Sequence, residues 1–109
     1  MNQTTEWVID SEELEAWMAE GEEIKKALDK LWEQYYQSLA EYGNIEERGL
    51  ARNPGEGLRY AFITPEEGKE LEKLNSEMES VTKAIGVWIK RMGDHAARFP
   101  RPKPRPRNH

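Results

Sequence analysis

Apolar residues recur along two stretches of this chain at alternating intervals of three and four. The first stretch is Leu14, Trp17, Gly21, Ile24, Leu28, Leu31, Tyr35, Ser38, Tyr42, and the second is Leu71, Leu74, Met78, Val81, Ile85, Trp88, Met92. Such intervals keep side chains on one stripe of a helix, and their 3.5-residue average is the seam of a coiled coil. The pattern predicts two long helices. Asp10, with Glu13 three residues later, has capping-box spacing, and Asp10, Glu12, Glu13 and Glu15 crowd the end where the helix dipole favours negative charge. Thr64-Pro65-Glu66-Glu67 marks the second start more sharply: a capping hydroxyl, a proline with its φ already helical, and a glutamate to close the box. Gly43-Asn44 reads as the first stop, and the proline alternation after Ala97 as the second. The expected organisation is one domain over 1–97, with a helix over about 10–42, a connecting segment 43–63 and a helix over about 64–97, followed by a tail over 98–109.

Helices of this length span about 50 Å and can fold back on each other. In the connecting segment, Asn53-Pro54-Gly55-Glu56-Gly57 reads as a tight turn between Leu50-Ala51-Arg52 and the alternating Leu58–Ile63, so a small β-hairpin is expected there. Trp7-Val8-Ile9 suits a short strand or a docking arm. Folding back near Asn53 would set Tyr42 by Thr64, Ile24 by Val81 and Leu14 by Met92, with the Trp88 indole over Gly21. The fold class expected is mainly α: an antiparallel, coiled-coil-like hairpin of long helices with a small irregular or β element at its turn. Met18, Trp32, Tyr36 and Leu39 widen the apolar face of the first helix beyond the seam, more than one neighbouring helix covers. Assembly into a larger bundle, with a homodimer first among the options, is therefore expected.

Charge divides the chain unevenly. The net charge of −5 combines 16 basic and 21 acidic residues, yet Arg98, Arg101, Lys103, Arg105 and Arg107 all fall in the last dozen positions, where no acidic residue lies. The body thus carries about −10 and the tail about +5. An acidic body does not invite nucleic acid, and a basic tail does. Because antiparallel helices bring the tail beside Asp10, Glu12, Glu13 and Glu15, an internal electrostatic clamp is the first reading of the tail. A strand for nucleic acid or for a partner groove is the second. The proline alternation excludes helix and predicts an extended chain.

Candidate chemistry is sparse. The chain has no cysteine, no HExxH, no P-loop and no GxGxxG, so disulfides, thiolate metal sites and nucleotide motifs have nothing to rest on. His95 follows Asp94 near the end of the second helix and reads as a surface histidine complementing the helix dipole rather than as a catalytic base. No enzyme, metal or cofactor is expected. No apolar run approaches the ~18 residues of a membrane span and no signal peptide is visible, so the expectation is a soluble, cytoplasmic protein.

Two functions fit these features. The favoured one is a small binding or regulatory protein that works through helical protein–protein contacts. By analogy of size and charge, that includes a phage or bacterial accessory inhibitor whose acidic face mimics nucleic acid. Its contact residues would be Glu12, Glu13, Glu20, Glu22, Glu23, Trp32 and Tyr36, and its partners a second copy of itself and a protein still to be identified. The alternative is a nucleotide- or nucleic-acid-binding module using Arg48, Arg52, Arg59, Tyr60, Arg101 and Arg105, since cations and a stacking ring beside a helix N-terminus attract phosphates. Against it stand Glu46, Glu47, Glu56, Glu66 and Glu67 in the same neighbourhood, which can pair with the loop arginines instead.

Overall fold

A computed structural model describes residues 5–52 and 63–106. Its elements follow the order β1 (Thr5–Val8), α1 (Ser11–Arg52), α2 (Pro65–Ala97) and β2 (Lys103–Pro106). The two helices pack antiparallel as an extended hairpin, and the two strands form a small antiparallel sheet at the end where the chain termini lie. The molecule measures 87 × 22 × 15 Å with a radius of gyration of 25.1 Å. A compact domain of this size has about 13 Å. Among the described residues the hairpin is a single layer of helix, with no second layer over either face.

Both starts are built as the local signals require. The Asp10 carboxylate accepts the backbone N–H of Glu12 at 2.8 Å, and the Thr64 hydroxyl accepts that of Glu67 at 3.2 Å with Pro65 in the first turn. Along the seam, Ile24, Leu28 and Ile85 form one buried cluster, flanked by Leu31, Val81 and Trp88. Ile45, Leu71 and Leu74 form a second near the turn, flanked by Tyr42 and Ile63.

The end of α1 corrects the expected boundary. The helix passes through Gly43-Asn44 and runs to Arg52, so Leu50-Ala51-Arg52 is helical and not the arm of a β-hairpin. Continuing the three-and-four interval past Tyr42 lands on Ile45 and Gly49, and both are buried. A helical glycine costs about 1 kcal/mol, whereas fully burying an isoleucine side chain contributes roughly 2 kcal/mol. Burial of Ile45 outweighs the local stop signal. The remainder of the expected hairpin, from Asn53 through Phe62, lies outside the described residues.

Lengthening α1 moves the fold-back along the chain and shifts the register. Gly21 meets His95, two helical turns beyond the expected Trp88, and a Cβ built on Gly21 would lie 2.9 Å from His95 Nε2. Trp88 packs instead against the Ile24–Leu28–Ile85 cluster, with the Arg91 guanidinium 4.5 Å from its ring centre. The expected pairings of Leu14 with Met92 and Tyr42 with Thr64 shift likewise. The glycine still has a packing reason, with a different ring above it.

The tail is extended, as its prolines require, and it is paired. β2 runs antiparallel to β1 with Val8 opposite Lys103, Trp7 opposite Pro104, Glu6 opposite Arg105 and Thr5 opposite Pro106. Proline has no N–H, so β2 donates to the ladder only through Lys103 and Arg105. The prolines occupy the alternate positions, whose N–H groups would point away from β1.

Candidate interaction surface

The hairpin offers three regions with chemistry: the end bearing the sheet, the end bearing the turn, and its two long edges. At the sheet end, Trp17 lies flat on His95 with ring centres 4.3 Å apart and planes 11° apart, and Phe99 meets Trp17 edge-on at 4.9 Å. The Trp17 indole N–H donates to the His95 carbonyl at 2.8 Å. His95 is only 5% exposed, which corrects its reading as a surface residue. Its Nδ1 is buried without a hydrogen-bond partner, and the nearest carboxylate oxygen, on Glu20, is 3.7 Å away. Glu20 is held by the Arg98 guanidinium. Glu13 accepts from Lys103 Nζ at 3.0 Å, and that carboxylate raises the lysine pKa above its ordinary value. The clamp between the basic tail and the acidic start of α1 is therefore present, through Glu13 and Glu20.

At the turn end, Arg52 donates two parallel bonds of 2.8 and 2.7 Å to the Glu67 carboxylate. The bidentate guanidinium holds Glu67 below the usual carboxylate range, with Arg48 adding a weaker attraction. An open groove beside it is lined by Glu41, Glu47 and Glu70 as well as Arg48 and Asn44. Arg52 is engaged by Glu67, and Arg48 faces a groove whose other charged residues are acidic. Arg101 and Arg105 are exposed at the opposite end of the hairpin, so Arg48 and Arg52 are not gathered with them into one site. Arg59 and Tyr60 lie outside the described residues.

The two long edges differ in polarity. In an antiparallel helix pair, residues that immediately follow a seam position lie along one edge, and residues that precede one lie along the other. The preceding edge carries a groove lined by Gln34, Gln37, Ser38, Glu41, Glu77, Ser80 and Val81, with Val87 exposed further along it. The following edge carries Met18, Trp32, Tyr36 and Leu39 on α1 and Ile89 on α2, all exposed, with Met18 57% and Tyr36 60% accessible. Trp32 stacks on Tyr36 with ring centres 5.9 Å apart, and Tyr35 meets both edge-on. The sequence-predicted contact residues thus separate. Trp32 and Tyr36 sit together on the apolar edge, Glu12, Glu22 and Glu23 are exposed, and Glu13 and Glu20 are engaged with the tail. Ile89 was not foreseen as part of this surface; its spacing of four from Ile85 is the signal that could have found it.

Among the described residues, no helix is long and apolar enough to cross a membrane, and no three His, Cys, Asp or Glu side chains are grouped to hold a metal ion. Comparison of the chain with protein families, with characterised proteins and with solved structures finds no match.

Proposed function

We propose that this protein is a small non-enzymatic binding protein that works by laying its helices against those of a protein partner, with self-association into a dimer as its basic state. The observation that carries the reading is the apolar edge. Trp32, Tyr36, Met18, Leu39 and Ile89 stay exposed along one side of the described hairpin, whereas Val87 is the large apolar residue exposed among the polar side chains of the other. Clustered exposed aromatics are the usual anchors of protein interfaces. An acidic, nucleic-acid-mimicking inhibitor would present Glu12, Glu22 and Glu23, since Glu13 and Glu20 are already paired. Reversing Glu12 and Glu23, which lie off the apolar edge, tests that extension separately from the apolar contact. The ligand-binding alternative is the weaker reading, because Arg52 is bound to Glu67.

Sedimentation equilibrium of the wild type beside Trp32→Glu/Tyr36→Glu tests the proposal. Association that disappears in the double variant, with helicity by circular dichroism unchanged, is the expected result. Identical behaviour of the two proteins would overturn it.

A further inference from the structure

Building on that binding reading, we infer that the apolar edge is closed by a second copy of this chain, around a two-fold axis parallel to the hairpin. Each α1 then lies over the α2 of its partner, giving a four-helix bundle. Bulk and smallness are distributed unequally along this edge. The residues following the seam on α1 include Met18, Trp32 and Leu39, at multiples of seven. On the second half of α2, the corresponding residues are Thr82, Gly86, Ile89, Gly93 and Ala96. A Cβ built on Gly86 or Gly93 meets nothing within 4 Å. Ile89 apart, the second half of α2 leaves space where α1 carries bulk.

The register matches Trp32 to that space. Gly21 stands level with His95, and Leu28 packs in one cluster with Ile85. Counting along both helices from these pairs brings Trp32 level with the Thr82–Gly86 turn. A two-fold axis along the hairpin preserves levels, so Trp32 of each copy meets that turn of the other. Charge runs the same way. Glu22 and Asp29 on α1 come within about one helical turn of the levels of Lys90 and Lys83 on α2, all four exposed. Lys83 otherwise has only a loose 3.7 Å pair with Glu79. An axis across the hairpin would instead set α1 on α1, bulk against bulk and one acidic band against its copy. From Met18 to Leu39 the edge is about 32 Å long and two helices, or about 20 Å, wide. Its side-chain relief brings that footprint near the ~800 Å² per partner of a standard interface. All neighbouring helices in the bundle are antiparallel, which also suits their dipoles.

Sedimentation equilibrium on charge and volume variants decides the arrangement, with circular dichroism to verify helicity. Lys83→Glu/Lys90→Glu should weaken the dimer by about tenfold or more. Adding Glu22→Lys/Asp29→Lys to the same chain should restore it, because each copy then offers the opposite pairing. Gly86→Leu should leave the hairpin helical and weaken the dimer, since it fills the space that Trp32 would occupy. A wild type that stays monomeric overturns both this inference and the self-association proposed above, and an assembly other than a dimer overturns this inference. A dimer lost in Trp32→Glu/Tyr36→Glu but indifferent to the Lys83/Lys90 pair and to Gly86→Leu also overturns it, while the apolar-contact reading stands.

Discussion

The two ends of the hairpin are held by different physics. Near the turn, Ile45, Leu71 and Leu74 form a purely aliphatic cluster, with Ile45 and Leu71 each only 1% exposed. At the sheet end, a glycine, a histidine and two aromatics fit face to edge, and a buried imidazole nitrogen has no hydrogen-bond partner. The sheet end depends on the fit of rings rather than on aliphatic bulk. It is the more selective one. Aliphatic side chains on a heptad stripe tolerate a slip of two helical turns, because another aliphatic residue arrives in the same place. Gly21 does not tolerate it, because the His95 ring occupies the position of its missing side chain. The turn end supplies stability and the sheet end selects the register.

That division can be broken at four points. Leu71→Ala should have the largest effect, lowering stability by about 3 kcal/mol in urea denaturation, because it empties a fully buried site. Gly21→Ala should cost about 2 kcal/mol despite alanine's better helix propensity, since the new methyl must displace His95 or part the helices. If Gly21→Ala melts higher than wild type, the sheet end does not select the register as described. Trp17→Phe should cost about 1 kcal/mol, keeping the stack and losing the bond to the His95 carbonyl. Acidification should produce the smallest change. Glu67 has its pKa lowered in the fold by Arg52, so its contribution is present above the unfolded glutamate pKa of about 4.3 and disappears as pH falls through the folded value. Arg52→Ala should remove that acid sensitivity and leave the sheet end untouched, and thermal melts between pH 5 and pH 2 would check it. Because this pair is solvent-exposed, salt should weaken it as well.

Much of this was legible in the residues. Asp10 and Thr64 carry their capping chemistry locally, and the seam intervals survive in any register, so two antiparallel helices follow from sequence alone. The tail clamp was also legible, because opposite charges at paired ends attract whatever the detail. What escaped is what depends on distant partners. Gly43-Asn44 is a stop signal by local preference, and only the packing of Ile45 against Leu71 and Leu74 overrides it. His95 looks like a surface residue until Trp17 and Gly21 are known to surround it. Pro102, Pro104 and Pro106 dictate an extended chain, but not that Thr5–Val8 would be its partner. Among the residues expected to make contacts, Trp32 and Tyr36 are exposed, as follows from helix geometry. Glu13 and Glu20 were assigned outward because their internal cations lie about eighty or more residues away in the chain.

The alternating prolines of β2 have a consequence for behaviour at high concentration. A short sheet with open edges is a template on which further strands can grow into aggregates. The outer edge of β2 has no N–H at Pro104 or Pro106 to offer an incoming strand, so growth from that side is barred. On the outer side of β1 only Thr5 and Trp7 turn their backbone groups outward, too few to seed a ladder. Crowded chains are thereby steered away from fibrils.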